Sequence, residues 1–148
     1  GLQHLKDKNL TISNETILTP HPGEASNLLG IPINEIQENR EKTARQISKK
    51  FNSSCVILKG NKTVVYFKDK RETFVCEDGG PELSTGGTGD ILCGVIGSLL
   101  AQGLTLYEAS LLGVAVHAKA GAIFADKYGE IGLNATAIIP IIRKLLNK

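Results

Sequence analysis

The residues with the most evident capacity for chemistry are Ser84-Thr85-Gly86-Gly87-Thr88-Gly89-Asp90, directly before an apolar run that starts at Ile91. A helix beginning near Gly89 would present backbone N–H groups that have no intrahelical partner, and its dipole would add partial positive charge. Glycine lets such a backbone approach an anion closely, so the segment predicts a phosphate-binding helix end. The same N–H groups can stabilise the charge on a phosphoryl group in transfer.

The carboxylate of Asp90 is suited to accept a proton from an attacking hydroxyl group. As a purely structural residue it would be misplaced, because it would sit where the anion also sits. The structural alternative is a glycine-rich loop in which Thr88 or Asp90 caps the helix. The spacing matches neither of the two common glycine-rich nucleotide motifs, so the pattern alone leaves both interpretations open.

A second candidate segment is Thr19-Pro20-His21-Pro22-Gly23-Glu24, between a β-prone run at Thr16–Thr19 and a short helix that Gly30 ends. Ligands of open α/β sheets bind beyond the carboxyl ends of the strands, so His21 and Glu24 are expected at that rim. His21 could donate a hydrogen bond to a substrate, and Glu24 could orient Mg²⁺ through water. The alternative is a rigid turn in which Glu24 interacts favourably with the helix dipole.

The third candidate segment is Leu58-Lys59-Gly60-Asn61-Lys62-Thr63, which again follows an apolar run. Lys59 could meet a phosphate group, and Gly60 would let a nucleotide lie close to the backbone. A solvated hairpin turn is the alternative. His117, within an apolar helical pattern, is expected to be a packed and hydrogen-bonded histidine rather than a catalyst.

The strands that must position these segments are readable from apolar runs. Cys55–Leu58 is unbroken and apolar, which predicts a strand buried on both faces. Thr63–Lys68 and Glu72–Cys76 predict a hairpin around residues 69–71, with antiparallel pairing in this part of the sheet.

The helices are readable from spacing and from capping residues. A helix capped by Asn34 is predicted to run to about Lys50, with the charges from Arg40 to Lys50 on a solvated face. Its apolar face comprises Ile36, Ala44, Ile47 and Phe51. Three further helices are predicted at 89–102, 106–128 and 135–147. This order of elements predicts a layered α/β domain with a mixed sheet.

Bulk composition narrows the classes of function. The chain has 148 residues, a length that predicts one domain. Its net charge of only +2 and its 5% of aromatic residues make nucleic acid a poor partner. Three widely spaced cysteines favour a reducing, cytoplasmic location, and no apolar run approaches the about 18 residues that span a bilayer. Methionine is absent, so the chain is expected to begin where processing or truncation set Gly1.

In this order, the three segments resemble the signatures of the ADP/ATP-dependent NAD(P)H-hydrate dehydratases, a family of the ribokinase-like superfamily. Residues 19–24 resemble the family's Pro-His-x-Gly-Glu, Lys59-Gly60 its nucleotide loop, and residues 84–90 its Gly-Gly-x-Gly-Asp anion hole. The resemblance extends from about Thr11 onward, and His117 fits the family's late helix. The Gly-x-Gly-Asp core is common to the superfamily, whereas its combination with Pro-His-Pro-Gly-Glu is far more specific.

The resemblance implies the C-terminal portion of a ribokinase-like, layered α/β/α domain, occupying residues 1–148 as one partial domain. It also implies a repair lyase that restores NADH or NADPH from the hydrated 6-hydroxy form, with ADP or ATP as co-substrate. Phosphorylation would turn the hydroxyl into a leaving group, and elimination of phosphate would restore the ring. A half-domain of this kind would leave a sheet edge and apolar faces uncovered, so a homo-oligomer is expected.

The family's functional residues carry over to matching positions. Asp90 would be the base on the substrate hydroxyl, and both Asp90 and His21 would bind the hydrated nicotinamide nucleotide. The anion hole would comprise Gly86, Gly87 and Gly89. The adenine-nucleotide site would comprise Lys59, Gly60, Asn61, Lys62, Thr63 and Gly89. Glu24 falls where the superfamily has the Glu of its Asn-x-x-Glu metal motif, and this match implies the Mg²⁺ role. The chain departs from that motif in having His21 in place of the Asn.

Two other functions remain open from the sequence. The first is a small-molecule kinase of the same superfamily, of the thiazole or pyrimidine-alcohol type, which would release a stable phosphorylated product. The second is a non-catalytic fragment that binds nucleotide or forms oligomers, which would bind without turnover.

Overall fold

The computed structural model describes residue 2 and residues 15–147 of the chain. It divides into two compact units, Gly1–Val75 and Cys76–Lys148. The prediction of a single ribokinase-like domain over residues 1–148 stays a prediction. The polar composition of residues 1–15 predicts a loop or a short helix, and this segment lies almost entirely outside the described residues.

The first unit is built on a mixed sheet. Its described strands are β1 (Ile17–Leu18), β2 (Cys55–Leu58), β3 (Thr63–Phe67) and β4 (Glu72–Cys76), in the order β1-β2-β3-β4. β1 runs parallel to β2, and β2 runs antiparallel to β3. The predicted strands and the predicted mixed pairing are therefore confirmed, with β3 ending one residue earlier than expected.

Three helices lead from β1 to β2 and cover the sheet. They are α1 (Pro22–Leu29), α2 (Ile33–Glu38) and α3 (Arg40–Phe51). All four side chains of β2 are buried, as an unbroken apolar run predicts for an inner strand. The predicted apolar helix face is also confirmed, because Ile36, Ala44, Ile47 and Phe51 are all buried in the core of this unit.

The prediction of one helix from Asn34 to Lys50 is wrong, because the chain breaks at Asn39, where φ is −129° and ψ is 46°. Asn competes with helical hydrogen bonding through its own side chain, which favours such a break. The N-cap of α2 is Pro32 rather than Asn34.

The prediction of a solvated charge run is also wrong for Arg40, whose side chain is half-buried. The remaining charged residues of α3 are exposed: Glu41, Lys42, Arg45, Lys49 and Lys50.

The second unit contains the three predicted C-terminal helices. They are α4 (Thr88–Ala101), α5 (Leu106–Tyr128) and α6 (Ile139–Leu146), the last preceded by a 3₁₀ turn at Ala135–Ile138. A Cβ atom on Gly113 would lie 2.5 Å from the Ile96 side chain, so glycine permits the close approach of α4 and α5. The core of this unit comprises Val116, Ala120, Leu133, Ile138 and Ile142.

By length and composition, α5 could cross a membrane, contrary to the expectation that no apolar run approaches the length of a span. Half of its most apolar stretch is buried inside the protein, and the helix carries buried His117. A core helix of a compact protein meets the same two criteria, so α5 gives only weak evidence of a span. The absence of a membrane partner stays a prediction.

The first turn of α5 has a capping box that should make its stability depend on pH. The Thr105 hydroxyl and N–H donate to Glu108 Oε2 at 2.7 and 2.9 Å, and these bonds lower the pKa of the Glu108 carboxyl. The folded chain therefore binds this proton less readily than the unfolded chain, so the stabilisation exists above the ordinary Glu pKa and is lost as pH falls. We expect the melting temperature of the parent to exceed that of Glu108→Gln at pH 7, and this difference to shrink below about pH 4. A difference that stays constant from pH 7 to pH 3 would contradict the assignment.

Candidate functional site

The first cluster of predicted site residues begins at the N-terminus of α1. His21 is the N-cap, and its Nδ1 accepts a hydrogen bond from the Glu24 N–H at 3.2 Å. Glu24 Oε2 accepts in return from the His21 N–H at 2.8 Å, which completes a capping box. Pro22 supplies a fixed φ at the first helical position. The structural interpretation of this turn is therefore correct, since both candidate residues cap the helix.

Capping also determines which ring nitrogen of His21 can act on a ligand. Because Nδ1 is an acceptor, a neutral imidazole carries its proton on Nε2. Nε2 lies 3.6 Å from Glu24 Oε2, and 57% of the His21 side chain is exposed. The exposed Nε2–H can thus donate to a bound molecule while the other nitrogen holds the helix end.

Lys59 joins this cluster from the end of β2. Its backbone N–H donates to the Pro20 carbonyl at 2.9 Å, which ties the residue after β2 to the residue before His21. Its Nζ lies 3.9 Å from Glu24 Oε2. The structure therefore brings together two of the three segments, because parallel β1 and β2 place their carboxyl ends side by side. An ammonium group has three donors, so Lys59 can bind a phosphate oxygen beside Glu24.

The other residues predicted to bind nucleotide lie on the turn between β2 and β3. Gly60 has φ of +134°, a conformation that essentially requires glycine, and the Thr63 hydroxyl donates to its carbonyl at 3.1 Å. Asn61 and Lys62 are exposed. The alternative of a hairpin turn is correct as geometry, and the turn stands next to Lys59.

Sequence reasoning missed Arg40, the first residue of α3. Its Nη2 donates to the carbonyls of Leu58 and Lys59 at 2.8 and 3.2 Å. Burial lowers the pKa of its guanidinium. A signal was present, because Arg40 precedes Ala44, Ile47 and Phe51 at the spacing of one helix face, and those three are core residues.

The second cluster is the glycine-rich loop that leads into α4. The helix begins at Thr88, and Gly87 is its N-cap, with φ of +92° and no side-chain cap. The Thr88 hydroxyl instead donates to the carbonyls of Leu83 and Thr85 at 2.7 and 2.8 Å. The structural alternative, a cap from the side chain of Thr88 or Asp90, is therefore wrong.

Three backbone amides of this loop have no hydrogen-bond partner in the described chain. Within the described part of the chain, the backbone N–H groups of Gly86, Gly87 and Gly89 donate to no protein atom. These are the three glycines predicted to form the anion hole. Asp90 is exposed in the first helical turn, and its backbone N–H donates to the Gly87 carbonyl at 3.1 Å, while no hydrogen bond of its side chain occurs with the described chain. Free amides and a free carboxylate thus occur at one helix end.

His117 supports this loop from α5. The ring is buried, and its Nε2 lies 2.9 Å from the Thr88 carbonyl, to which it must donate because a carbonyl only accepts. The expectation of a packed, hydrogen-bonded histidine agrees with this position. His117 fixes the first residue of α4 and so helps to place the loop.

Buried Glu82 also supports the loop and was missed by sequence reasoning. Its Oε1 accepts a hydrogen bond from the Gly80 N–H at 2.8 Å, and Gly80 is the N-cap of the 3₁₀ turn Pro81–Ser84 that leads into the loop. A Cβ atom on Gly121 would lie 2.8 Å from the same oxygen, which explains glycine at that place in α5. No sequence signal separated this carboxylate from the exposed acidic residues around it.

Glu24 is the predicted metal residue, and its surroundings fit Mg²⁺ only in a limited way. Its contacts within the described chain use Oε2, which leaves Oε1 as a possible ligand to a cation or its water shell. The described residues hold no group of three metal-binding side chains. Mg²⁺ is commonly bound by one or two carboxylates together with substrate phosphates and water, and one carboxylate oxygen fits that mode.

Solved structures identify the class of fold. Members of the ribokinase-like superfamily match the chain, so the predicted ribokinase-like α/β fold is confirmed. One is the ADP/ATP-dependent NAD(P)H-hydrate dehydratase of Bacillus subtilis, co-crystallised with ATP and Mg²⁺. It is 30% identical with a TM-score of 0.86, over 94% of this chain and 52% of that chain.

The family model described as NAD(P)H-hydrate dehydratase matches residues 1–144, and the chain belongs to that family. It is 46% identical to the bifunctional NAD(P)H-hydrate repair enzyme of Coxiella burnetii over 88% of its own length. It is 43% identical to the ADP-dependent (S)-NAD(P)H-hydrate dehydratase of Neisseria meningitidis over 89% of its length. The chain spans 26% and 44% of these two relatives and corresponds to their C-terminal part.

Proposed function

We propose that the protein containing this chain restores NADH and NADPH from their hydrated forms, with ADP or ATP as the phosphoryl donor. The observation that carries the proposal is the helix end at which three glycine N–H groups lack protein partners beside the free carboxylate of Asp90. Membership of the NAD(P)H-hydrate dehydratase family supports the choice of reaction.

In the proposed reaction, the oxygen of the substrate hydroxyl attacks the terminal phosphoryl group of the nucleotide, and Asp90 accepts the proton of that hydroxyl. The N–H groups of Gly86, Gly87 and Gly89 stabilise the negative charge on the transferring group. The leaving group is AMP when ADP is the donor and ADP when ATP is the donor. The phosphorylated hydroxyl then departs as phosphate while a ring proton is lost, and the dihydronicotinamide is restored.

The residues of the first unit bind the two ligands in this proposal. Lys59, Gly60 and the turn through Thr63 line the adenine nucleotide, and the Lys59 ammonium meets a phosphate. His21 donates from Nε2 to the hydrated nicotinamide nucleotide. Glu24 would hold Mg²⁺ through Oε1 or a water molecule, and the ion would supply positive charge to the phosphate groups.

The cellular setting is part of the same proposal. A cytoplasmic enzyme with small-molecule ligands, no nucleic-acid partner and no membrane partner fits the three widely spaced cysteines and the low net charge. The homo-oligomer expected from the sequence stays a prediction.

The reaction can be tested on the protein at its natural full length. Hydrated NADH is supplied with Mg²⁺ and either ADP or ATP, and the absorbance of the dihydronicotinamide is followed with release of phosphate. We expect the dihydronicotinamide and phosphate to form together in equal amounts, and neither to form without nucleotide. A stable phosphorylated product would indicate a small-molecule kinase instead, and nucleotide binding without turnover would indicate a non-catalytic protein.

A further inference from the structure

The side chain of Arg40 connects the start of α3 to the end of β2. Its Nη2 lies 2.8 Å from the Leu58 carbonyl oxygen and 3.2 Å from that of Lys59, and its Nη1 lies 2.6 Å from Gln37 Oε1. The Nε atom is buried without a hydrogen-bond partner in the described chain. The orientation of the guanidinium is therefore dictated by the two backbone carbonyls, at the expense of its own Nε–H.

The guanidinium also occupies the space beside Gly60. A Cβ atom at that position would lie 3.3 Å from Nη1 and 3.4 Å from Nη2 of Arg40, a tight contact that would require the guanidinium to shift by a few tenths of an ångström. The φ of +134° at Gly60 is likewise a glycine conformation. The direction of the chain after Lys59 and the place of the Arg40 side chain thus depend on each other.

Arg40 is one of three groups that hold the turn. The Lys59 N–H donates to the Pro20 carbonyl, and the Thr63 hydroxyl donates to the Gly60 carbonyl. Arg40 holds the carbonyl of Lys59, so the backbone of Lys59 is fixed on both sides. Its side chain is then directed to within 3.9 Å of Glu24 Oε2.

We propose that Arg40 is a positioning residue for the nucleotide turn, acting through the backbone of Lys59 and Gly60. The proposal rests on the proposed function for the identity of the ligand, an adenine nucleotide. The planar guanidinium holds three acceptors at once, because Nη2 donates to both carbonyls while Nη1 donates to Gln37, whereas a lysine ammonium is a point charge on a flexible stem. The role therefore requires arginine, and charge alone does not satisfy it.

The first test needs no ligand. Hydrogen exchange of the amides at 60–63 is measured in full-length protein for the parent, Arg40→Gln and Arg40→Lys, at a temperature where all are folded. Arg45→Gln is the matched control, because Arg45 lies on the same helix with 54% of its side chain exposed. We expect faster exchange in both Arg40 variants and parental exchange in the control. Parental exchange in Arg40→Gln would overturn the proposal.

The second test measures the dissociation constants of ADP and ATP by calorimetry. Arg40→Gln removes the hydrogen bonds to the Leu58 and Lys59 carbonyls. This substitution should weaken nucleotide binding by about 10- to 100-fold, because small displacements of a binding group are costly. The same substitution should weaken binding less in a Lys59→Gln background than in the parent, since part of the effect of Arg40 is to direct the Lys59 side chain. Independent, additive losses would overturn the role, and so would full recovery in Arg40→Lys.

The two tests separate this proposal from the proposed function. If the parent binds neither ADP nor ATP, both the nucleotide role of Arg40 and the proposed function fail. The exchange result then still decides whether Arg40 fixes the turn. If the parent binds nucleotide but does not dehydrate the substrate, only the proposed reaction fails.

Discussion

Replacing Asp90 with asparagine is expected to lower kcat by about 10²- to 10⁴-fold, the usual contribution of a positioned general base. Asparagine has nearly the same shape but cannot accept the proton of the substrate hydroxyl. The Asp90 side chain makes no hydrogen bond with the described chain, so the substitution breaks no structural contact. Turnover is measured with hydrated NADH at saturating nucleotide, and the dissociation constant of the nucleotide should change little.

The matched control is Asp126→Asn, in the last turns of α5, where the carboxylate is also exposed. It should retain the parental kcat. Undiminished turnover in Asp90→Asn would remove the proposed base. A loss of folding in that variant, seen by circular dichroism, would instead show that the carboxylate is structural.

Replacing Gly87 with alanine is expected to impair both stability and turnover. Gly87 has φ of +92°, and an added Cβ atom would lie 3.1 Å from the Cβ of Ala135. The left-handed conformation alone costs an alanine about 1–2 kcal/mol. Relief of the contact would displace the amides before α4, and loss of one such donor typically costs about 10²- to 10³-fold in kcat. Thermal melting and steady-state kinetics measure the two effects.

Gly103→Ala separates backbone strain from the effect on the site. Gly103 has nearly the same φ, +93°, and an added Cβ atom would have no neighbour within 4 Å. This control should lose stability from strain and keep the parental kcat. Equal kinetics in Gly87→Ala and the parent would show that the amides of this loop do not stabilise the transferring group.

The sequence predicted those parts of the fold that follow from the spacing of apolar residues. The burial of β2 follows from four consecutive apolar residues, and the apolar face of α3 follows from helical spacing. The predicted helix from Asn34 to Lys50 failed because a break at Asn39 is a local conformational choice that spacing does not encode. Helix α2 and helix α3 each keep an apolar face across that break.

In the candidate site, too, some features follow from the sequence and others depend on the tertiary structure. By itself, the sequence determined where an anion could be bound, because glycines before a helix leave amides without intrahelical partners whatever the surroundings. Only the tertiary structure decided which distant groups meet: Lys59 with Glu24, Arg40 with the end of β2, and His117 with Thr88. Hydrogen-bonding capacity belongs to residue type, whereas the choice of partner depends on the pairing of strands and helices far apart in the chain.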